Sequence, residues 1–183
     1  MTVLRILNYP DPRLKYVAGV VQDVKDPAVQ SMLDDMLETL EKTESCGGLA
    51  ACQLDIAKPL RIFVYWDFDE TNPISQTIDY FINPEIVSTE GDVFEKEGCM
   101  SVYCDNINEA VYRPKKTTLR GIDREGNVVE KTREGYLAKL YIHETDHLNG
   151  KLFIDHLKPL KRKMVDRKIE KIRKAIKKNA RTD

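Results

Sequence analysis

The chain has 183 residues, of which 42% are hydrophobic and 32% charged, with a formal net charge of -1. That length suits one ordinary domain, residues 1–183, whose core needs neither disulfides nor metal staples merely to fold. No apolar run reaches the roughly 20 residues of a helical membrane span, and the start Val3-Leu4-Arg5-Ile6-Leu7 is too short and too interrupted for a secretory signal, so a cytoplasmic setting is expected, with no membrane partner. In a reducing compartment Cys46, Cys52, Cys99 and Cys104 read as free or metal-bound thiols. The charge is uneven. Residues 158–183 hold twelve Lys and Arg against three acids, and the remaining 157 hold seventeen against twenty-seven. An acidic body therefore carries a basic tail, which suits either a solvated helix face or a polyanion-binding one.

Asp26-Pro27 predicts an N-cap and first helical residue. Val29, Met32, Leu33, Met36, Leu37 and Leu40 then recur at helical spacing until Gly47-Gly48. Strands are predicted at Leu60 to Trp66, Thr77 to Ile82, Glu85 to Val87 and Thr117 to Ile122, with another from Val128 after the turn Asp123-Arg124-Glu125-Gly126-Asn127. A second helix is predicted from about Gly135 to Asn149, with Gly150 as its stop. A third runs over about 159–180, with Val165, Ile169, Ile172 and Ile176 as its apolar stripe. Helix, antiparallel-looking strands, then helices indicate an α+β fold.

The second helix carries His143-Glu144-Thr145-Asp146-His147, and the chain has only one further histidine, His156. On a helix, residues i and i+4 share a face, so the two imidazoles converge on one point, with a carboxylate one position after the first. This is the spacing of a metal site that carries its own general base. A pair of core or surface histidines is the bland alternative, and a third ligand decides between them. The metzincin pattern would end in a third histidine, but that position is Phe153. His156 falls past the helix end, and the only later glutamate, Glu170, lies among basic residues. A thiolate remains in Glu97-Gly98-Cys99-Met100-Ser101. Cysteine with two histidines would hold a divalent ion and leave a position for water. A four-cysteine structural site is a further alternative, and it leaves both histidines without a purpose.

Together with Gly47-Gly48-Leu49-Ala50-Ala51-Cys52-Gln53, these segments resemble the three signature motifs of the peptide deformylases, G-x-G-L-A-A-x-Q, E-G-C-L-S and H-E-x-D-H, in the same order and at similar separations. The resemblance extends over nearly the whole chain, including Ile82-Asn83-Pro84-Glu85, Arg113-Pro114 and Gly150-Lys151-Leu152-Phe153. It implies a fold of mostly antiparallel β-sheets packed around a central metal-binding helix, with a C-terminal helix. It also implies a hydrolase that removes the formyl group from the N-terminal formylmethionine of nascent polypeptides and releases formate. Cys99, His143 and His147 are then the metal ligands, and Glu144 the general acid/base. Gln53 and the backbone N–H of Met100 are the oxyanion donors. Gly48, Leu49, Glu97, Gly98, Arg113 and Cys46 are placed beside the substrate. The family resemblance implies one divalent ion, Fe2+ first, with Zn2+, Ni2+ or Co2+ able to replace it, since this donor set suits several first-row ions. It also implies a monomer whose basic helix contacts ribosomal RNA.

Several positions depart from the family pattern. Cys46 replaces the first glycine of its motif, where a side chain is expected to narrow the substrate entrance or to demand a different turn. Met100 replaces a leucine. Glu95 stands where an apolar residue often borders the methionine pocket, and Tyr103 and Asn106 alter the following loop near the peptide. A metallo-amidase with altered acyl or peptide preference, and a catalytically weak ribosome-associated homologue, are the competing expectations.

Overall fold

The computed structural model describes residues 2–69 and 72–179. Helix α1, Pro27–Lys42, begins as predicted: the Asp26 carboxylate accepts the Ala28 N–H at 2.8 Å, and proline occupies the first turn. Its stripe of Val29, Leu33, Met36 and Leu40 is buried against Leu49, Ile62 and Val64 of the sheet.

The sheet has five strands, β1 Gly48–Ala50, β2 Ile62–Asp69, β3 Asn72–Glu97, β4 Glu109–Ile122 and β5 Val128–Glu134, antiparallel throughout in the order of the chain. The two strands predicted at Thr77 to Ile82 and Glu85 to Val87 are parts of one 26-residue strand. Asn83-Pro84 does not end it but bends it. Asn83 adopts φ 50°, and the register shifts between Ile82 and Glu85, so the proline sits at a bulge where no ladder N–H is required. The bend lets the far half of β3 leave β2 and run beside β4 to Glu97, which carries Cys99 to the site.

Helix α2, Gly135–Leu148, packs on this sheet. Leu137, Ala138, Tyr141 and Leu148 are buried, and Leu137, Tyr141 and Leu148 lie in a cluster with Phe63, Tyr65, Phe81 and Leu119. The Tyr65 and Tyr141 hydroxyls share a hydrogen bond of 2.9 Å, which satisfies both inside the cluster. The helix closes with paired bonds, Gly150 N–H to the His147 carbonyl at 3.0 Å and Lys151 N–H to the Asp146 carbonyl at 2.9 Å. Gly150 supplies the left-handed residue, φ 69°, that this ending requires. His147 thus sits in a capped last turn, not a frayed one.

Helix α3, Pro159–Asn179, follows. Ala180, the last residue of the predicted span, lies outside the described residues. Val165 and Ile169 are buried, and Ile172 packs on the cluster formed with Leu14, Val102 and Ile154. Ile176, predicted to belong to the stripe, is 52% exposed, because the helix runs past the core that its first half covers. Among the described residues no helix is long and apolar enough to cross a membrane.

Candidate active site

One turn of α2 separates His143 from His147, and their Nε2 atoms lie 3.2 Å apart. Cys99 follows the end of β3, where the chain enters the short 3-10 turn Met100–Val102, and its Sγ lies 3.2 Å from His147 Nε2. The three ligand atoms all fall within 4.8 Å of one another. Cys99 and His147 are buried, and the His143 side chain is 11% exposed. Donors bound about 2.0–2.3 Å from a shared ion stand roughly 3.3–3.6 Å from each other, close to the two 3.2 Å separations from His147 Nε2. Glu97 Oε1 lies 2.6 Å from His143 Nδ1 and accepts its proton in a hydrogen bond, which orients the ring so that Nε2 is the atom turned to the cluster. Burial opposes the charge on His143, yet Cys99 and Glu97 raise its pKa well above the ordinary value. Burial, helped by the nearby His143 charge, drives His147 well below it. One cation would relieve the crowding of a thiol and two imidazoles, and these residues fit it.

Of Glu97 and Arg113, both expected beside the substrate, Glu97 lines the cavity, and the two also form a buried network behind the histidines. The Arg113 guanidinium donates to Glu97 Oε2 and Oε1 at 2.8 Å each and to Asp146 Oδ2 at 2.7 Å, with only 2% of its side chain exposed. Asp146 in turn pairs with His156 Nε2 at 2.8 Å. Arg113 and His143 hold the Glu97 carboxyl far below the usual range against the cost of burial. Both carboxylate oxygens of Glu97 are therefore engaged, and Arg113 stands behind the histidines and not in the cavity. His156 joins the same network through Asp146 and contributes no atom to the metal cluster. Arg113→Met should lower stability by about 3–5 kcal/mol, since it strands a buried carboxylate. It should also weaken metal binding by roughly 10–100-fold as His143 loses its orientation. Denaturant unfolding and metal titration of the same variant check both effects.

Glu144 is buried beside this cluster. Its Oε2 has no hydrogen-bond partner among the described residues, and burial pushes its pKa up to about 7, with His143 opposing and Glu97 adding to the shift. Gly48 makes room for it: a Cβ there would lie 2.8 Å from Glu144 Oε1 and 3.2 Å from the Val64 carbonyl. Across the cavity, Gln53 Oε1 accepts the Ala50 N–H at 2.8 Å, which fixes the amide. Nε2 must then face the cluster, 3.5 Å from Cys99 Sγ and 3.4 Å from Ser101 Oγ.

These groups open on a cavity of about 240 Å³, walled also by Gly48, Gly98 and Met100. A Cβ at Gly98 would lie 2.4 Å from Asn108 Oδ1, so a side chain there requires the exposed Asn108 amide to shift. Two expected neighbours of the substrate turn away. Ser45 adopts φ 56° and rotates the chain, so Cys46 points into the core, 5% exposed, its thiol donating to the Gly48 carbonyl at 3.2 Å. Burial pushes that thiol up to about 12, with Glu144 adding to the shift. The Leu49 side chain is fully buried in the same cluster. Asn106 is exposed, its carbonyl accepting from Lys168, and Asn108 takes the cavity wall in its place. Tyr136, Leu140 and Lys139, unforeseen in this role, line the cavity from α2. The spacing 136, 140, 143, 147 is the helical face already marked by the histidines, and extending it backward would have found Tyr136 and Leu140.

A family model described as polypeptide deformylase matches residues 3–163. The chain is 43% identical over 178 residues to peptide deformylase 2 of Xanthomonas campestris pv. campestris, covering 96% of this chain and 99% of that one. It is 42% identical over 172 residues to the peptide deformylase of Pseudomonas aeruginosa, covering 93% and 96%. The crystal structure of a peptide deformylase from Legionella pneumophila superposes with a TM-score of 0.81 at 38% identity, covering 95% of this chain and 97% of that one. That of Ehrlichia chaffeensis, in complex with actinonin, does so with 0.81 at 34%, covering 96% and 98%. With an α+β fold, a Cys-His-His cluster able to hold one metal ion and likeness over almost its whole length, the chain belongs to the polypeptide deformylase family.

Proposed function

We propose that this chain hydrolyses the formamide of N-formylmethionyl peptides, with Cys99, His143 and His147 holding one divalent ion and Glu144, Gln53 and the Met100 N–H carrying out the reaction around it. The observation that carries this reading is the meeting of a three-donor cluster, a buried carboxylate with an unpartnered oxygen and an oriented amide on one small cavity. An ion held by these three residues would supply Lewis-acid chemistry there. Glu144, in a site that raises its proton affinity, takes the proton from the attacking water and returns it to the departing amine, so formate and a free N-terminus result. Gln53 Nε2 donates to the oxygen on which charge develops. Met100 opens a 3-10 turn, so its N–H has no acceptor within that turn and serves as the second donor. Because its orientation is fixed in advance, Gln53→Ala should lower kcat/KM by about 10²–10³-fold, with metal content unchanged. Steady-state kinetics beside metal analysis check it.

Ferrous iron is the ion favoured by family resemblance, and zinc, nickel or cobalt suit the same donors. Release of formate from formyl-Met-Ala-Ser by anaerobically purified protein tests the activity. Turnover of other N-acyl peptides without turnover of formyl would sink it. The reaction belongs in the cytoplasm, where nascent chains are made. Helix α3 suits contact with ribosomal RNA, because Lys163, Arg167 and Lys171 are exposed beyond its docked face. Salt-sensitive ribosome binding lost on replacing these three with Glu is the expected result of a pelleting assay.

A further inference from the structure

The wall of the cavity one helical turn before His143 is cationic. Lys139 lies four residues ahead of His143 on the same helix face, about 6 Å along the axis. The formyl carbon is two bonds from the Cα of the residue that carries it, so the side chain of that first residue is the group that reaches this wall. A pocket for methionine alone would be apolar. Here Lys139 runs beside Tyr136, its ammonium 5.7 Å from the ring centroid, and both line the cavity together with Lys96. The Lys139 side chain is only 15% exposed. Its ammonium reaches Glu95 Oε2 at 3.3 Å and the Lys96 carbonyl at 3.4 Å, both long contacts, which leaves one of its three donors over. Glu95, the residue that departs from an apolar position, is 51% exposed on the outer side and neutralises Lys139 only weakly. The Tyr136 hydroxyl lies against Gly47, so close that a Cβ at Gly47 would stand 2.1 Å from it. Glycine at 47 is thus what admits this second polar group to the wall.

Resting on the deformylase reading above, we propose that Lys139 is a specificity-determining residue. It makes the cavity select formylated residues whose side chain ends in a hydrogen-bond acceptor over apolar side chains of the same length. Methionine enters along the Lys139 stem and the Tyr136 ring, and its sulfur is only a weak acceptor. A partly buried ammonium whose remaining donor finds no acceptor on the bound substrate is what penalises an apolar end.

The test is kcat/KM of the metal-loaded protein on a set of tripeptides differing only in the formylated residue: methionine, glutamine, methionine sulfoxide and norleucine, each followed by Ala-Ser. The expected result is a preference of about tenfold or more for glutamine and methionine sulfoxide over norleucine. In Lys139→Met, which keeps the stem and removes the charge, that preference should disappear and the norleucine peptide should gain. In Glu95→Gln, which frees Lys139, it should grow. Metal content near one ion per chain shows that each variant is folded. Norleucine turned over as fast as the acceptor peptides, or a ratio indifferent to Lys139→Met, overturns the proposal. Failure of the unsubstituted protein to turn over any formyl peptide overturns instead the deformylase reading beneath it.

Discussion

Glu144→Ala should reduce formate release by about 10²–10⁴-fold while the protein keeps its fold and its metal. The reason lies in the placement of this carboxylate. It is buried, one of its oxygens has no partner among the described residues, and Gly48 is cleared of a side chain to admit it. None of the ion pairs found among the described residues includes it, so its removal strands no charged partner. A carboxylate kept in such a place costs stability, so its removal should leave the melting temperature unchanged or slightly higher. Glu144→Gln should be equally inactive, since an amide of the same shape cannot shuttle a proton. Single-turnover kinetics with metal analysis on both variants checks this. A variant that retains more than about a tenth of the activity removes Glu144 from the role of acid and base.

Cys99→Ala is expected to have the second large effect, and it acts through the ion. The thiol is the only donor of the three that comes from outside α2, so its loss leaves two imidazoles with no third partner. Metal content should fall to a small fraction of one ion per chain after dialysis, and formate release should fall with it. Whatever stability the bound ion contributes by mass action is lost as well, so the melting temperature of Cys99→Ala should match that of the chelator-treated protein. Cys104→Ala provides the contrast. Cys104 lies on the cavity wall, but its Sγ contacts Met100 Sδ at 3.4 Å and is not in the donor cluster. Its metal content should stay near that of the unsubstituted protein.

The helices and the chemistry of the cluster were legible in the sequence because each rests on local spacing. Asp26-Pro27 opens α1 and Gly150 closes α2 where their capping chemistry says they should. The i, i+4 pair His143 and His147 converges as helical geometry requires. The sheet was harder to read. The first half of β4 hides its alternation because Arg113, a charge, occupies an inward position between Val111 and Thr117, and only the carboxylates of Glu97 and Asp146 make that burial tolerable. Asn83-Pro84 reads as a break and is a bulge. The direction of Cys46 depends on a single left-handed residue, Ser45, which no periodicity marks. Lys139 looked like an ordinary polar position of an amphipathic helix. Its meaning emerges only when Glu95 and Lys96 from β3 are brought beside it.

The most direct test of metal-dependent deformylation is formate release and metal content measured on one anaerobically purified sample, before and after chelation and reconstitution. Metal-dependent deformylation predicts about one divalent ion per chain, formate release from formyl-Met-Ala-Ser proportional to that content, and loss of both in Cys99→Ala. Formate release that persists in the chelated protein, or a full metal complement in Cys99→Ala, would contradict it.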